Sequence, residues 1–299
     1  MSFSSNVKAE LCRQSITRRM EALAEAYGVL LYCNTFTGSA VRVVTESRDF
    51  AERLPKLFRK AFGVGFDATP DPDEPGKLLL AIEQKDKLEK LLTALDMRAD
   101  GEVALHVNFG LLEEEPEQLA FFRGAFLAGG SVTDPAKRYH LELATPHLKV
   151  SAEASVLLRE IGFSAKETSR AGNSILYFKQ SDTIEDFLTA IGAQVSAMGV
   201  MEAKVEKDLR NGVNRRVNCE TANLSKAVDA SFEQLAAIRK LEEAGVLETL
   251  PQKLQETARL RRENPEATLS ELAEMPDPPV SKSAVNHRMR KLMELSKTL

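Results

Sequence analysis

Long apolar runs and a basic leader are both missing from this sequence of 299 residues. No uncharged apolar run approaches the roughly 18 residues that a membrane-spanning helix needs. The start, MSFSSNVKAELC, has no basic segment followed by an apolar one, so it does not predict a signal peptide. We therefore expect a protein of the cytoplasm with no membrane partner. Its length allows two or three domains.

Paired cysteines and an excess of positive charge are missing as well. Cys12, Cys33 and Cys219 are far apart and form no CxxC pair, which argues against a zinc site or a disulfide framework. The formal net charge is −4, so a generally basic surface for nucleic acid is excluded and any such contact must be local. We predict no metal site and no cofactor.

An internal repeat is present within residues 1–205. LLAIEQKDKLEKLLTAL (residues 79–95) aligns with ILYFKQSDTIEDFLTAI (residues 175–191), and each predicts a strand followed by a helix with an acidic start. The pattern between these segments repeats too, so each half is predicted as helix, two strands, helix, two strands, helix. A repeat of this length indicates an α+β pseudo-dimer rather than a solenoid. Its halves are about 1–110 and 111–205.

The opening helices of the two halves, ALAEAYGVLLYCN and QLAFFRGAFLAGG, carry equivalent glycines at Gly28 and Gly124. A glycine inside a helix costs ~1 kcal/mol relative to alanine. Close approach of two helix backbones would compensate for that cost, so we predict that these helices cross at their glycines. Gly129 and Gly130 end the second helix and lie outside any GxxxxGK[ST] pattern, which makes them a poor phosphate-binding loop.

Crossing helices in a duplicated αββαββα domain resemble the LAGLIDADG homing-endonuclease domain. In that family two such helices cross at the centre of a saddle-shaped sheet, and an acidic residue near each helix end holds the metal that cleaves DNA. The resemblance places Cys33 and Gly129 at the two acid positions, and neither supplies the carboxylate oxygens that Mg²⁺ needs. Asp134 lies past the turn without an acidic partner. The resemblance therefore implies a domain without catalytic residues, not an enzyme.

The end of the chain has the pattern of an all-α helix-turn-helix domain. LPQKLQETARLRREN predicts a helix with Pro251 in its first turn and a stop at Asn264-Pro265. TLSELAEM opens with a capping box from Thr268 to Glu271. A proline-rich turn then leads into a basic helix, SKSAVNHRMRKLMELSK. A short middle helix followed by a basic third helix is typical of this module.

Helical geometry sorts the side chains of the last helix. Val285, Met289 and Leu292 share one face and are expected to pack on the first two helices. The opposite face and its flanks suit the major groove, because Asn and Arg read base edges while Lys and Arg hold phosphates. A solvated amphipathic helix in a three-helix cap is the alternative. The predicted DNA-binding residues are Lys282, Ser283, Asn286, His287, Arg288, Arg290 and Lys291.

The segment between the two domains, residues 206–245, is predicted as a linker and a helical segment closed by Gly245. It is rich in asparagine and carries Arg215 and Arg216 as candidate phosphate contacts. A solvated linker is the alternative for these two arginines. The helix-turn-helix domain then covers residues 246–299.

The whole chain resembles the WhiA family of bacterial DNA-binding regulators. The likeness lies in the duplicated domain, in NRRVNCETANLSKAVDAS, and in PPVSKSAVNHRMRKL near the end. It implies a non-catalytic, sequence-specific transcriptional regulator that binds double-stranded DNA in the nucleoid. It also implies a link to sporulation or cell division in Gram-positive bacteria.

Two other functions are open for the duplicated domain. One is an active LAGLIDADG-type endonuclease, which would need a carboxylate at each helix end. The other is a sensor or docking domain for a protein or ligand, with an RNA polymerase sigma factor or another regulator as the candidate partner. Many acids offset its strand cations, whereas a domain that follows DNA by charge alone should be more basic. That balance favours partner binding. The offset cations are Arg42, Lys137, Arg138 and Lys179.

Overall fold

A computed structural model describes residues 2–71, 76–97 and 105–299, which divide into two compact units, Met1–Asp208 and Leu209–Leu299. The N-terminal unit is the predicted mixed α/β pseudo-dimer, and the C-terminal unit is helical. None of the helices in the described residues combines the length and the low charge needed to cross a membrane.

The first half of the N-terminal unit follows the predicted order, with one helix added in front and one strand reduced. The added helix, α1 (Phe3–Cys12), was not predicted. Only a bridge between Ala68 and Ala81 is found where the sequence predicts the third strand, and the tip of that hairpin lies outside the described residues. The other elements are α2 (Arg19–Tyr32), β1 (Thr35–Phe36), β2 (Val41–Thr45), α3 (Arg48–Phe62), β3 (Leu78–Ile82) and α4 (Lys85–Ala94).

The second half has every predicted element. Its hairpin between β6 and β7 turns at Ala171 and Gly172, whose φ angles of 50° and 81° are those of a tight two-residue turn. The elements are α5 (Glu115–Gly129), β4 (Gly130–Val132), β5 (Leu141–Thr145), α6 (Leu148–Glu160), β6 (Lys166–Arg170), β7 (Asn173–Phe178) and α7 (Ser181–Ile191).

Each half contributes one antiparallel sheet, in the orders β1-β2-β3 and β4-β5-β7-β6. The register repeats, since Val41 pairs with Ile82 in the first half and Leu141 with Phe178 in the second. Along the central strands, buried residues alternate with more exposed ones because successive side chains point to opposite faces of a sheet. The buried face of each sheet packs on the helices.

Helices α2 and α5 cross at their glycines, as predicted. An added Cβ would lie 2.0 Å from the Phe121 carbonyl oxygen at Gly28 and 1.9 Å from the Glu25 carbonyl oxygen at Gly124. Both contacts are with backbone atoms, so no side chain fits at either position. Packing between backbones therefore accounts for the two glycines.

Helix α8 (Gln194–Glu243) runs without a break through the segment predicted as a linker. The helix has buried residues near both ends, at Ala197 and Val200 in the N-terminal unit and from Ser231 onwards in the C-terminal unit. Side chains 208–230 are all exposed. A helix that is nucleated in packed regions extends at little further cost, because each added residue forms one more hydrogen bond. Its asparagine-rich composition conceals this extension in the sequence.

The C-terminal unit packs the last turns of α8 against α9 (Gln252–Glu263), α10 (Leu269–Glu274) and α11 (Lys282–Lys297). These four helices surround one apolar core. Its best buried members are Ile238, Leu241, Leu254, Ala258, Leu272, Val285, Met289 and Leu292.

Candidate nucleic-acid interface

Helix α11 is the candidate DNA-reading element. It begins after Ser281, whose hydroxyl accepts a hydrogen bond from the Ala284 amide at 3.1 Å, an ordinary helix N-cap. Val285, Met289 and Leu292 are buried in the core of the C-terminal unit, as predicted. The opposite face of α11 is therefore directed away from that core.

The structure places the predicted contact residues in two groups. Those with exposed side chains are Lys282, Ser283, His287, Arg290 and Lys291.

Asn286 and Arg288 are only half-exposed. The guanidinium of Arg288 donates to the hydroxyl of Thr257 on α9 at 3.4 Å. Thr257 is itself buried and donates to the Lys253 carbonyl oxygen. Arg288 thus ties α11 to α9, a contact that helical periodicity does not reveal.

The turns on either side of α10 are held by polar contacts. Thr268 and Glu271 form the predicted capping box, in which each side chain accepts the other residue's amide hydrogen. The Val280 amide donates to the Ala273 carbonyl oxygen at 2.8 Å, which closes the turn before α11. These bonds hold the turns that connect α10 to its neighbouring helices.

The turn between α9 and α10 is held by two residues that the sequence did not single out. Arg261 is 2% exposed and donates to the carbonyl oxygens of Pro265 and Ala267. Ser231 on α8 donates to the same Pro265 oxygen. Burial lowers the pKa of Arg261, yet a guanidinium stays charged at neutral pH. A basic residue four positions before the proline at the helix stop was the only sequence signal.

Arg215 and Arg216, the candidate phosphate contacts, lie on the exposed middle of α8. The first residue of α8 that packs in the C-terminal unit is Ser231. At 1.5 Å per residue, the two arginines are about 23 Å away from it along the helix axis. They form a separate patch from the exposed face of α11.

The ends of α2 and α5 hold the residues at the acid positions of the resembled nucleases. Cys33 follows α2, is buried, and its thiol donates to the carbonyl oxygens of Leu30 and Thr35 at 3.2 Å each. Burial raises the pKa of the Cys33 thiol to about 12, so the thiol stays protonated. Gly129 ends α5, where an added Cβ would lie 2.3 Å from the Ala144 carbonyl oxygen.

No metal centre is found in the part of the chain that the structure describes, since no three His, Cys, Asp or Glu side chains converge there. Asp134 accepts a hydrogen bond from the Ala136 amide at 2.9 Å within its own turn. This contact is typical of an Asp that stabilises a turn.

On the sheets of the N-terminal unit, two arginines are paired with acids. Arg42 contacts Glu83 at 2.8 Å, and Arg170 contacts Glu142 at 2.8 Å. Partial burial alone would raise the pKa of Glu142. Hydrogen bonds from His140 and Arg170 have the larger combined effect, so the pKa of this carboxyl is lowered. The Glu142 carboxylate is therefore ionised at neutral pH and neutralises its basic neighbour.

These features define a class of protein: a LAGLIDADG-like domain without acids at its helix ends, followed by a helix-turn-helix domain. Two family descriptions match, the WhiA LAGLIDADG-like domain over residues 118–210 and the WhiA C-terminal HTH domain over residues 213–296. A "Probable cell division protein WhiA" of Clostridium perfringens is 35% identical over 311 residues, covering 100% of this chain and 98% of the relative. The protein of the same name from Alkaliphilus metalliredigens is 37% identical over 313 residues, covering 99% and 98%. The chain belongs to the WhiA family.

Solved structures agree with the fold. Full-length DUF199/WhiA from Thermatoga maritima has a TM-score of 0.61 at 22% identity, covering 100% of this chain and 99% of that one. The N-terminal LAGLIDADG domain of DUF199/WhiA has a TM-score of 0.51 at 21% identity, covering 64% and 90%. The likeness confirms the predicted pairing of a LAGLIDADG-like domain with helices that include a helix-turn-helix domain.

Proposed function

We propose that this protein is a non-catalytic transcriptional regulator that recognises a specific sequence in double-stranded DNA through α11. The observation that carries the proposal is the exposed basic and polar face of a helix whose other face is buried. Between Lys282 and Leu299 the only acid is Glu294, so this face is locally basic although the chain is acidic. Local positive charge is what phosphate contact requires.

The roles divide between base and phosphate contacts. Asn286 and Arg290 are the base readers, because an amide matches adenine and a guanidinium matches guanine in the major groove. Lys282 and Lys291 hold phosphates. Arg288 donates to Thr257 with one nitrogen, and its remaining donors serve the adjacent phosphate.

The test is a DNA titration of the full chain at two salt concentrations, on a selected and a scrambled duplex. Arg290→Ala should lose ~1–3 kcal/mol on the selected duplex and little on the scrambled one. Lys291→Ala should weaken both duplexes alike and lower the salt slope by about one unit. Lys85→Ala, an equal charge change in the N-terminal unit, is the control. If Arg290→Ala keeps the preference for the selected duplex, α11 is not the reader.

Arg215 and Arg216 extend the proposed DNA contact to the middle of α8. Both side chains are fully available to a phosphate, since residues 208–230 are exposed. Replacing the two with alanine should lower the salt slope without changing the preference between duplexes. An unchanged salt slope would show that the two arginines do not contact phosphates and are solvated residues.

We propose that the protein does not cut DNA, because neither helix end offers the carboxylates that hold a divalent ion. Plasmid incubated with the protein and Mg²⁺ or Mn²⁺ should stay supercoiled. Metal-dependent linearisation that Asp134→Asn abolishes would favour the endonuclease alternative instead.

For the N-terminal unit we propose docking of a protein partner, with a sigma factor or another regulator as the candidate. Its support is an apolar pair on the sheet: Val44 and Leu79 are cross-strand neighbours, 37% and 44% exposed. Beside them Arg42 is neutralised by Glu83. Leu79→Glu, at the residue of this pair that lies outside the cavity beside α2 and α5, should abolish binding to a purified partner and leave DNA affinity unchanged. Loss of DNA affinity in this variant would indicate DNA docking.

A role in cell division or sporulation completes the proposal. The relatives from Clostridium perfringens and Alkaliphilus metalliredigens bear the name of a probable cell division protein. A chromosomal Arg290→Ala allele should reproduce the division or sporulation phenotype of a deletion. A normal phenotype would show that base reading by α11 is not required for cell division or sporulation.

A further inference from the structure

A cavity of about 760 Å³ opens beside the ends of α2 and α5, where the resembled nucleases carry out catalysis. Asn34 lines it just after α2, and Ala128 and Gly130 line it at the end of α5. Helix α1 contributes Ser4, Ser5 and Lys8 of its first turns to the wall. The cavity therefore has a lining shared between α1 and the ends of α2 and α5.

Lys8 of α1 brings a positive charge to the end of α5. Its ammonium donates to the Leu127 carbonyl oxygen at 3.0 Å and also lines the cavity. The carboxyl end of a helix carries partial negative charge, which favours a cation there. Lys8 therefore supplies a positive charge at this helix end that involves no carboxylate.

The two halves differ at this point. The repeat that aligns Gly28 with Gly124 also aligns Leu31 with Leu127. In the pseudo-equivalent position the Leu31 carbonyl oxygen accepts a hydrogen bond from the neutral Thr145 hydroxyl at 2.9 Å. One helix end is thus bonded by a hydroxyl and the other by an ammonium ion. Only the α5 end has gained a charge.

Other polar groups in the cavity match an anion. Among the described residues, Arg48 and Lys77 line it together with Lys8, against two carboxylates, Glu46 and Asp49, so these five side chains have a net charge of +1. Hydroxyl groups are supplied by Ser4, Ser5 and Ser47. Cations and hydroxyls in one recess are the donors that phosphate oxygens require.

We propose that this cavity binds a phosphate group, with Lys8 supplying a positive charge at the end of α5. The phosphate belongs either to a DNA backbone or to a small phosphorylated molecule. The site does not depend on base reading by α11, so either proposal can fail without the other.

The first experiment is a thermal titration of the full chain with inorganic phosphate, followed by tyrosine fluorescence. At a phosphate concentration ten times its Kd, the Tm of the N-terminal unit should rise by about 3–6 °C. Lys8→Met should remove the rise, Lys77→Met should reduce it, and Lys8→Arg should retain it. Lys90→Met, an exposed lysine outside the cavity, is the charge-matched control and should behave as the parent.

A DNA titration at varied salt identifies the source of the phosphate. If it is DNA, Lys8→Met lowers the salt slope by about one unit and keeps the preference for the selected duplex. If it is a small molecule, the phosphate-induced rise disappears in Lys8→Met while DNA binding is unchanged. Equal rises in Lys8→Met and Lys90→Met, or no rise in the parent, would overturn the proposal. Should Lys8→Met fail to fold, Lys8→Arg and Lys77→Met still decide it.

Discussion

Gly124→Ala is the sharpest perturbation of the helix crossing. The new Cβ would lie 1.9 Å from the Glu25 carbonyl oxygen, which is 1.1 Å closer than the 3.0 Å that real Cβ atoms essentially never pass, and 3.0 Å from the Val29 nitrogen. Because both are backbone atoms of α2, the two helices must separate. A gap of 0.5–1 Å loses about a quarter to a half of each dispersion contact. We expect overpacking to cost about 3 kcal/mol, offset by about 1 kcal/mol of helix propensity.

The assay is urea unfolding followed by tyrosine fluorescence. The chain has no tryptophan, and all four tyrosines lie in the N-terminal unit, so the signal reports that unit alone. Gly199→Ala is the matched control, because a Cβ at this helical glycine meets nothing closer than Phe3 at 3.6 Å. The control should gain about 0.5–1 kcal/mol. If Gly124→Ala is as stable as the control, the close crossing does not exist.

Three further predictions concern the same unit. Arg53→Met should cost about 3–5 kcal/mol in the same unfolding assay, because Arg53 forms the closest ion pair of the buried Glu25, at 2.6 Å. Burial lowers the pKa of Lys8 from 10.5 to about 8, so the folded state binds fewer protons between these values. Stability should therefore rise from pH 8 to pH 10.5 by up to about 3 kcal/mol, and Lys8→Met should lack this rise in parallel unfolding curves. Cys33→Asp combined with Gly129→Asp should not cleave plasmid with Mg²⁺, and metal-dependent linearisation would refute this.

Local patterns in the sequence were sufficient to predict much of the fold and part of the candidate DNA interface. The repeat revealed the pseudo-dimer, and the helical spacing of Val285, Met289 and Leu292 gave the buried face of α11. These features depend on neighbours in sequence. Helix α1 depends instead on distant partners: Glu10 accepts hydrogen bonds from the amides of Val195 and Ser196 at the start of α8. Such contacts leave no periodic signal.

Two other differences between prediction and structure have separate causes. Helical spacing put Arg288 on the flank of α11, but its distance from Thr257 depends on how α9 packs. The predicted third strand of the first half is reduced to a bridge at Ala68, because the proline-rich stretch after it offers few amide donors to a neighbouring strand. In each case tertiary packing or a missing donor overrode the local pattern.

At the two helix ends, the surrounding backbone disfavours a carboxylate, in addition to the fact that neither residue there is an acid. A carboxylate at position 33 would replace a thiol that donates to two carbonyl oxygens, so acceptors would face acceptors in a buried site. At Gly129 any side chain meets the Ala144 carbonyl oxygen, so α5 and β5 would first have to move apart. Restoring a metal centre therefore requires changes to the packing of both halves. The crossing of α2 and α5 thus has the packing of a helix core at the positions where a metal centre would need carboxylates.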